Sequence, residues 1–168
     1  MRMFKLTLIA FAALIAWSAY AEAIEVRKRR EAPGTPAEVW ALVGGFCAVQ
    51  NWHPAVAKCE ETKEGDKVFR LLSLKDGATV YEELTKKEDH SYSYKILKSP
   101  LPVKDYNATL MVGPDDESDR VEIVWTANFE AEGASDEDAK KAIEGIFEAG
   151  VAGIKKEAIA AADAKEGK

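Results

Sequence analysis

The feature that most limits the fold is one apolar stripe in the C-terminal part of the chain. Ala139, Ala142, Ile143, Ile146, Phe147, Gly150, Ile154 and Ala158 recur at helical spacing, which places them along one side of a single long helix. Ser135 can cap its start, and Asp136, Glu137 and Asp138 fill the first turn, where the helix dipole favours acids. The spacing predicts a helix to about Ala162, close to ~40 Å at 1.5 Å per residue, with 165–168 as a polar tail. A stripe of that length must be buried, and the cover has to come from the residues that precede it.

Those residues have a period of two. Lys67 to Leu74 and Ala78 to Thr85 flank Lys75-Asp76-Gly77, a hairpin signal. Ser91 to Leu97 sets Tyr92, Tyr94 and Ile96 against Ser91, Ser93 and Lys95. Tyr106 to Val112 aligns Tyr106, Ala108, Leu110 and Val112, and Gly113-Pro114-Asp115-Asp116 reads as a turn. Val121 to Phe129 puts Val121, Ile123, Trp125, Ala127 and Phe129 on one face. One-sided alternation in successive strands predicts an antiparallel sheet with one face covered.

Upstream, Ile24 to Glu31 reads as a first strand, broken by Pro33-Gly34. Thr35-Pro36-Ala37-Glu38 is a helix start with a cap, a proline at the first helical position and an acid able to close a capping box. That helix ends at Gly44-Gly45. A second short one, Phe46 to about Trp52, ends at His53-Pro54, because the residue before a proline is pushed out of the helical region. The fold class is therefore α+β: a strand, two short helices, about six strands and a long helix. The stripe is rich in Ala and Gly, while the sheet face is rich in aromatics. Small residues opposite large ones either pack tightly or leave a hollow, and the pattern leaves both outcomes open.

The chain has 168 residues, which suits one domain, and 47% are apolar, enough for a core. Lys plus Arg number 23 against 29 Asp plus Glu, a net charge of −6, which argues against general nucleic-acid binding. Residues 1–21 read as a secretory signal: Arg2 and Lys5, an apolar run from Leu6 to Trp17, then Ala19-Tyr20-Ala21, with Ala21-Glu22-Ala23 as a second register. The run is short of the ~20 residues a spanning helix needs, so no stable membrane span is expected. The expectation is cleavage near Ala21 and one domain over 22–164, located in the periplasm or secreted. Export also colours Cys47 and Cys59, which in an oxidising space tend to form a bridge. Two buried thiols is the alternative. A zinc set with His53 lacks the short Cys spacing and a fourth ligand, so neither metal nor cofactor is expected.

Charges on the apolar face are the candidate chemistry. In the hairpin around Asp76-Gly77, Arg70 and Glu82 fall near opposite each other, Arg70 among Val68, Leu72 and Leu74, and Glu82 between Val80 and Leu84. Inner-face charges must be paired or solvated. They read either as an anchor for a ligand's carboxylate or carbonyl, or as a structural cross-strand pair. His53, at a helix end, is a candidate general base or a packed histidine bonded to backbone. Phe69, Tyr92, Tyr94, Tyr106 and Trp125 are core residues that would line any cavity, with Trp52, Ile143 and Phe147 beside them. Arg27-Lys28-Arg29-Arg30 reads as an edge strand or as a docking patch for an acidic partner.

Several segments together resemble one family. Pro36-Ala-Glu-Val-Trp40, Phe46, Trp52-His53-Pro54-Ala55-Val56, Gly77-Ala78 with Glu82 and Leu84, Tyr92-Ser93-Tyr94, Ser99-Pro100-Leu101-Pro102 with Tyr106, and Val124-Trp125 with Phe129 are similar to the SRPBCC superfamily (START, Bet v 1 and polyketide-cyclase-like proteins). The resemblance spans about residues 24–160 and is closest to the polyketide cyclase/dehydrase and lipid transport branch. It implies a helix-grip fold, a seven-stranded antiparallel sheet wrapped around the C-terminal helix, and a hydrophobic ligand cavity. It implies no single activity, because the superfamily includes binders, transporters and cyclases. Exported relatives include an accessory protein encoded with periplasmic methanol dehydrogenase. The expected functions are, in order, an exported binder of a small hydrophobic molecule, an accessory protein docking on a periplasmic redox enzyme or cytochrome, and a cyclase or dehydratase.

Overall fold

The computed structural model describes residues 23–116, 118 and 120–167; the expected signal at 1–21 lies outside them. The elements run β1 (Ile24–Ala32), α1 (Pro36–Val43), α2 (Val49–Trp52), β2 (Val56–Glu64), β3 (Lys67–Leu74), β4 (Thr79–Lys87), β5 (Ser91–Lys98), β6 (Val103–Pro114), β7 (Val121–Ala131) and α3 (Asp136–Glu166). The strands form one seven-stranded sheet in the order β1-β7-β6-β5-β4-β3-β2. Every neighbouring pair is antiparallel. All steps but one are hairpins between consecutive strands. The exception joins β1 to β7, with Ile24 opposite Phe129 and Ala32 opposite Val121.

The period-two residues face α3. Leu110, Val112, Ile123, Trp125, Ala127 and Phe129 are buried on that side. α3 answers with Ala139, Ile143, Phe147, Val151, Ile154 and Ala158, spaced as the stripe requires. Phe147 stacks on Trp125 with centroids 4.2 Å apart. The small residues of the stripe are sites of close packing, not the hollow. A Cβ at Gly150 would overlap the Trp125 ring and sit 3.0 Å from His53 Cδ2, and one at Gly153 would overlap the Trp52 carbonyl oxygen and sit 3.0 Å from its carbon. Two tryptophans thus reach the helix backbone because no side chain is there.

Some boundaries differ from the sequence expectation. α2 is one turn, Val49–Trp52, because Phe46 and Cys47 are held by long-range bonds in an irregular turn. β6 continues through Pro114, which pairs with Val121, so the turn starts later than Gly113. α3 runs four residues past Ala162, about 46 Å in all. Lys165, expected in a polar tail, instead bonds Glu38 Oε1 at 2.5 Å and ties the helix end to α1. The α1 capping box is formed, with Thr35 and Glu38 each accepting from the other's backbone N–H.

The basic run of β1 alternates as a strand should. Lys28 and Arg30 face α3 and pair with Glu144 and Glu148, while Arg29 pairs with Glu122 of β7. Arg27 is exposed. Three of the four cations expected to form a docking patch are thus engaged by this chain's own acids.

Candidate functional site

The β3–β4 register places Arg70 directly opposite Glu82, and both are buried on the α3 side of the sheet. Arg70 Nε donates to Glu82 Oε2 at 2.5 Å, and Nη1 donates to the Phe46 carbonyl at 2.5 Å. The Phe46 and Tyr94 rings lie over the guanidinium at 4.1 and 4.9 Å, with Tyr92 at 5.7 Å. The cation is thereby enclosed by one carboxylate, one carbonyl and three rings, which is how a buried charge is tolerated.

Burial acts on both partners. It alone would lower the guanidinium's pKa, but Glu82 and the facing tyrosines outweigh it, so Arg70 stays charged. Burial pushes the Glu82 carboxyl up, against the opposing pull of Arg70. Burial likewise pushes the Tyr92, Tyr94 and Tyr106 hydroxyls up, so all three stay protonated.

The turn that supplies the Phe46 carbonyl is fixed twice to the edge strand. Cys47 and Cys59 form a disulfide with Cα atoms 5.4 Å apart, and Cys59 N–H donates to Gln50 Oε1 at 3.0 Å. The thiols are therefore not zinc ligands. Among the described residues, no group of three His, Cys, Asp or Glu stands ready for a metal.

His53 does not present a free nitrogen. Its Nδ1 accepts from Ala55 N–H at 3.2 Å, so Nε2 carries the proton and donates to the Ile146 carbonyl at 3.1 Å. Burial, helped by the nearby Arg70 charge and opposed by the bond to Ile146, lowers its pKa and keeps the ring neutral. Its geometry is that of a clasp between the α2–β2 turn and α3, not of a general base.

Between the sheet and α3 lies a cavity of about 80 Å³, room for several waters or a small organic molecule. Eight of the expected site residues line it: His53, Arg70, Glu82, Tyr94, Tyr106, Trp125, Ile143 and Phe147. Three do not. Trp52 packs edge-on against Trp125, with centroids 5.6 Å apart, and its carbonyl meets α3 at Gly153. Tyr92 sits behind the guanidinium against Phe46 and Trp40. Phe69 is on the opposite face of the sheet, stacked on Tyr81. Its neighbour Arg70 points inward, and adjacent strand residues point to opposite sides.

Leu72, Leu74 and Val80 also line the cavity. They share strand parity with Arg70 and Glu82, which was signal enough to include them. Leu101 comes from the β5–β6 loop and Val49 from α2, and strand periodicity says nothing about either. Ala55, Leu74 and Leu101 come together at one end of the sheet and surround that end of the cavity.

The chain matches the polyketide cyclase / dehydrase and lipid transport family over residues 23–158. It is similar to the structure of protein XoxI from Bacillus cereus, at 30% identity and a TM-score of 0.75, covering 80% of this chain and 95% of that one. It is also similar to an uncharacterised protein from Bacillus thuringiensis, at 29% identity and a TM-score of 0.75, covering 81% and 99%. The Zhui aromatase/cyclase from Streptomyces sp. R1128 shares the fold, at 16% identity and a TM-score of 0.66, covering 82% and 94%. No curated protein matches the chain. With the family matched over most of its length and the helix-grip architecture in place, the chain belongs to the polyketide cyclase / dehydrase and lipid transport family.

Proposed function

We propose that this protein is exported and binds a small, largely apolar molecule between its sheet and α3. The observation that carries the reading is the cavity itself, a wall of aliphatic and aromatic side chains with one buried Arg70–Glu82 pair set into it. Such sites hold ligands by apolar contact and orient them by a few polar groups. Family membership supports the same reading. Export is supported by the signal pattern of 1–21 and by the Cys47–Cys59 bond, which suits an oxidising compartment. Turnover gains no support from His53, whose ring nitrogens are both engaged.

The test is native mass spectrometry of protein purified from its own host, with N-terminal sequencing of the same sample. A retained small molecule and an N-terminus near Glu22 are expected. Protein that carries no ligand and gains none from an apolar extract would end the binding reading, and an N-terminus at Met1 would end export.

The likeness to protein XoxI favours a second reading, an accessory protein that docks on a periplasmic redox enzyme. The engagement of Lys28, Arg29 and Arg30 within the chain moves any such contact away from β1. A salt-sensitive pull-down of a redox enzyme that survives charge reversal at Arg27 would support it.

A further inference from the structure

The cavity occupies only part of the space between the sheet and α3. Its α3 wall is Ile143, Ile146 and Phe147, and it stops there. The next residues of the stripe, Val151, Ile154 and Ala158, are buried but do not line it. The sheet shows the same limit. Trp125 lines the cavity and Ile123 does not; Tyr94 does and Tyr92 does not; Arg70 does and Val68 does not.

At that limit a row of side chains crosses the interior from helix to sheet. Phe147 stacks on Trp125 with centroids 4.2 Å apart, and the Trp125 ring reaches the α3 backbone at Gly150. Trp125 Nε1 donates to the Tyr94 hydroxyl at 3.1 Å, and that hydroxyl is also hydrogen-bonded to Tyr106. The Tyr94 ring lies 4.9 Å from the Arg70 guanidinium, which pairs with Glu82. Each member is held by the next, so the row yields only by breaking a ring stack, a buried hydrogen bond or a buried ion pair, all of them costly.

Resting on the binding reading above, we propose that this row is the floor of the cavity and that Trp125 sets the size of the ligand: a compact apolar molecule no larger than one six-membered ring. An apolar cavity of about 150 Å³ takes up a single benzene, and the space above this floor is about 80 Å³. A fused-ring system or an acyl chain would need room on the far side of Trp125, where Ile123, Val151 and Ile154 are packed as core. Atoms beyond the first ring stay at the end framed by Ala55, Leu74 and Leu101. Gly150 is the other half of the device, because any side chain there would push the Trp125 ring out of the row. The Arg70–Glu82 pair then closes the cavity rather than taking part in turnover.

Cyclopentane, benzene, ethylbenzene and n-butylbenzene are apolar probes graded in size. Each is titrated into the oxidised protein, and NMR follows the methyl groups of Val80 and Ile143 above the floor and of Val151 and Ile154 below it. Burying each added CH₂ should tighten binding about fourfold. In the wild type that gain should stop at benzene, with ethylbenzene and n-butylbenzene within about twofold of it. Nuclear Overhauser contacts from the bound probe should reach Val80 and Ile143 but not Val151 or Ile154. Trp125→Phe removes the part of the ring that reaches Gly150. It should bring back a gain of at least about fourfold from benzene to ethylbenzene, with contacts to Val151. If that variant does not fold, the wild-type series and its contacts decide alone. A steady gain through n-butylbenzene, wild-type contacts to Val151, or an unmoved plateau in folded Trp125→Phe overturns the floor and leaves the binding reading standing. A series in which no probe moves any of the four residues removes the binding reading and the floor with it.

Discussion

Three glycines in α3 make a test with its own control. Replacing glycine by alanine inside a helix gains about 1 kcal/mol from backbone entropy where there is room for the methyl group. Gly145 has room: nothing lies within 4 Å of its Cβ position. Gly150 does not, because its Cβ overlaps Trp125, a ring held by the Phe147 stack and by edge contact with Trp52. Gly153 has the least tolerance, since its Cβ overlaps the Trp52 carbonyl oxygen, which is backbone and cannot rotate away. Overpacking a filled interior costs about 1–3 kcal/mol, and more where backbone must shift. The net expectation is a gain of about 1 kcal/mol for Gly145→Ala, a loss of about 1–2 for Gly150→Ala and a loss of about 2 or more for Gly153→Ala. Urea unfolding of the oxidised protein gives the differences directly, and thermal midpoints should move by about 2–4 °C per kcal/mol. Three variants of equal stability, or a stabilising Gly153→Ala, would refute the claim that these positions admit the tryptophans.

The Arg70–Glu82 pair calls for a double-mutant cycle: Arg70→Met or Glu82→Leu alone should cost about 3–5 kcal/mol, and the double variant less than either single one; additive losses in urea unfolding would show the two act independently. Breaking Cys47–Cys59 by paired serine substitution should cost about 3 kcal/mol for a loop of this size and speed amide exchange from Phe46 to Trp52; unchanged exchange there would show that the bond does not hold the turn. His53 has its pKa lowered in the folded protein, so the unfolded chain binds the extra proton first as pH falls. Its contribution to stability should therefore be full above about 6.5 and diminish below it; an imidazole NMR titration with a midpoint at or above 6.5 in the folded state would contradict the clasp geometry.

What the sequence made legible was what rests on local chemistry. Thr35, Pro36 and Glu38 mark the start of α1 because a capping box is built from neighbours. Asp76-Gly77 fixes the β3–β4 turn, and with it the register that sets Arg70 against Glu82. What stayed hidden depends on contacts between distant segments. Nothing near residue 46 announces that its carbonyl will take Arg70 Nη1. The same holds for Gly150 and Gly153, whose small size is compatible with a hollow or with close packing, and only the placement of the two tryptophans decides for packing. The β1 clamp lies between these cases. Lys28 and Arg30 are two apart on a strand, about 6.8 Å, and Glu144 and Glu148 are one turn apart on a helix, about 6 Å. The spacings match, but only the assembled sheet brings strand and helix side by side. Phe69 differs from the sequence expectation for a local reason: it is adjacent on the strand to Arg70, which faces inward, so its own side chain faces outward, onto Tyr81.

The pairing of β1 with β7 has a consequence for how the molecule is made. Each bond in that ladder joins the earliest strand to the latest, as at Ile24 and Phe129, so no part of it can form until synthesis has passed Val121, and β7 must be out before the ladder is complete. The hairpins from β2 to β7 can assemble beforehand, but β7 then waits with an open edge. Loop closure over such a span is slow, and an open edge invites pairing with other chains. The opening strand is thus the last to dock, and its four consecutive positive charges keep it in water while it waits.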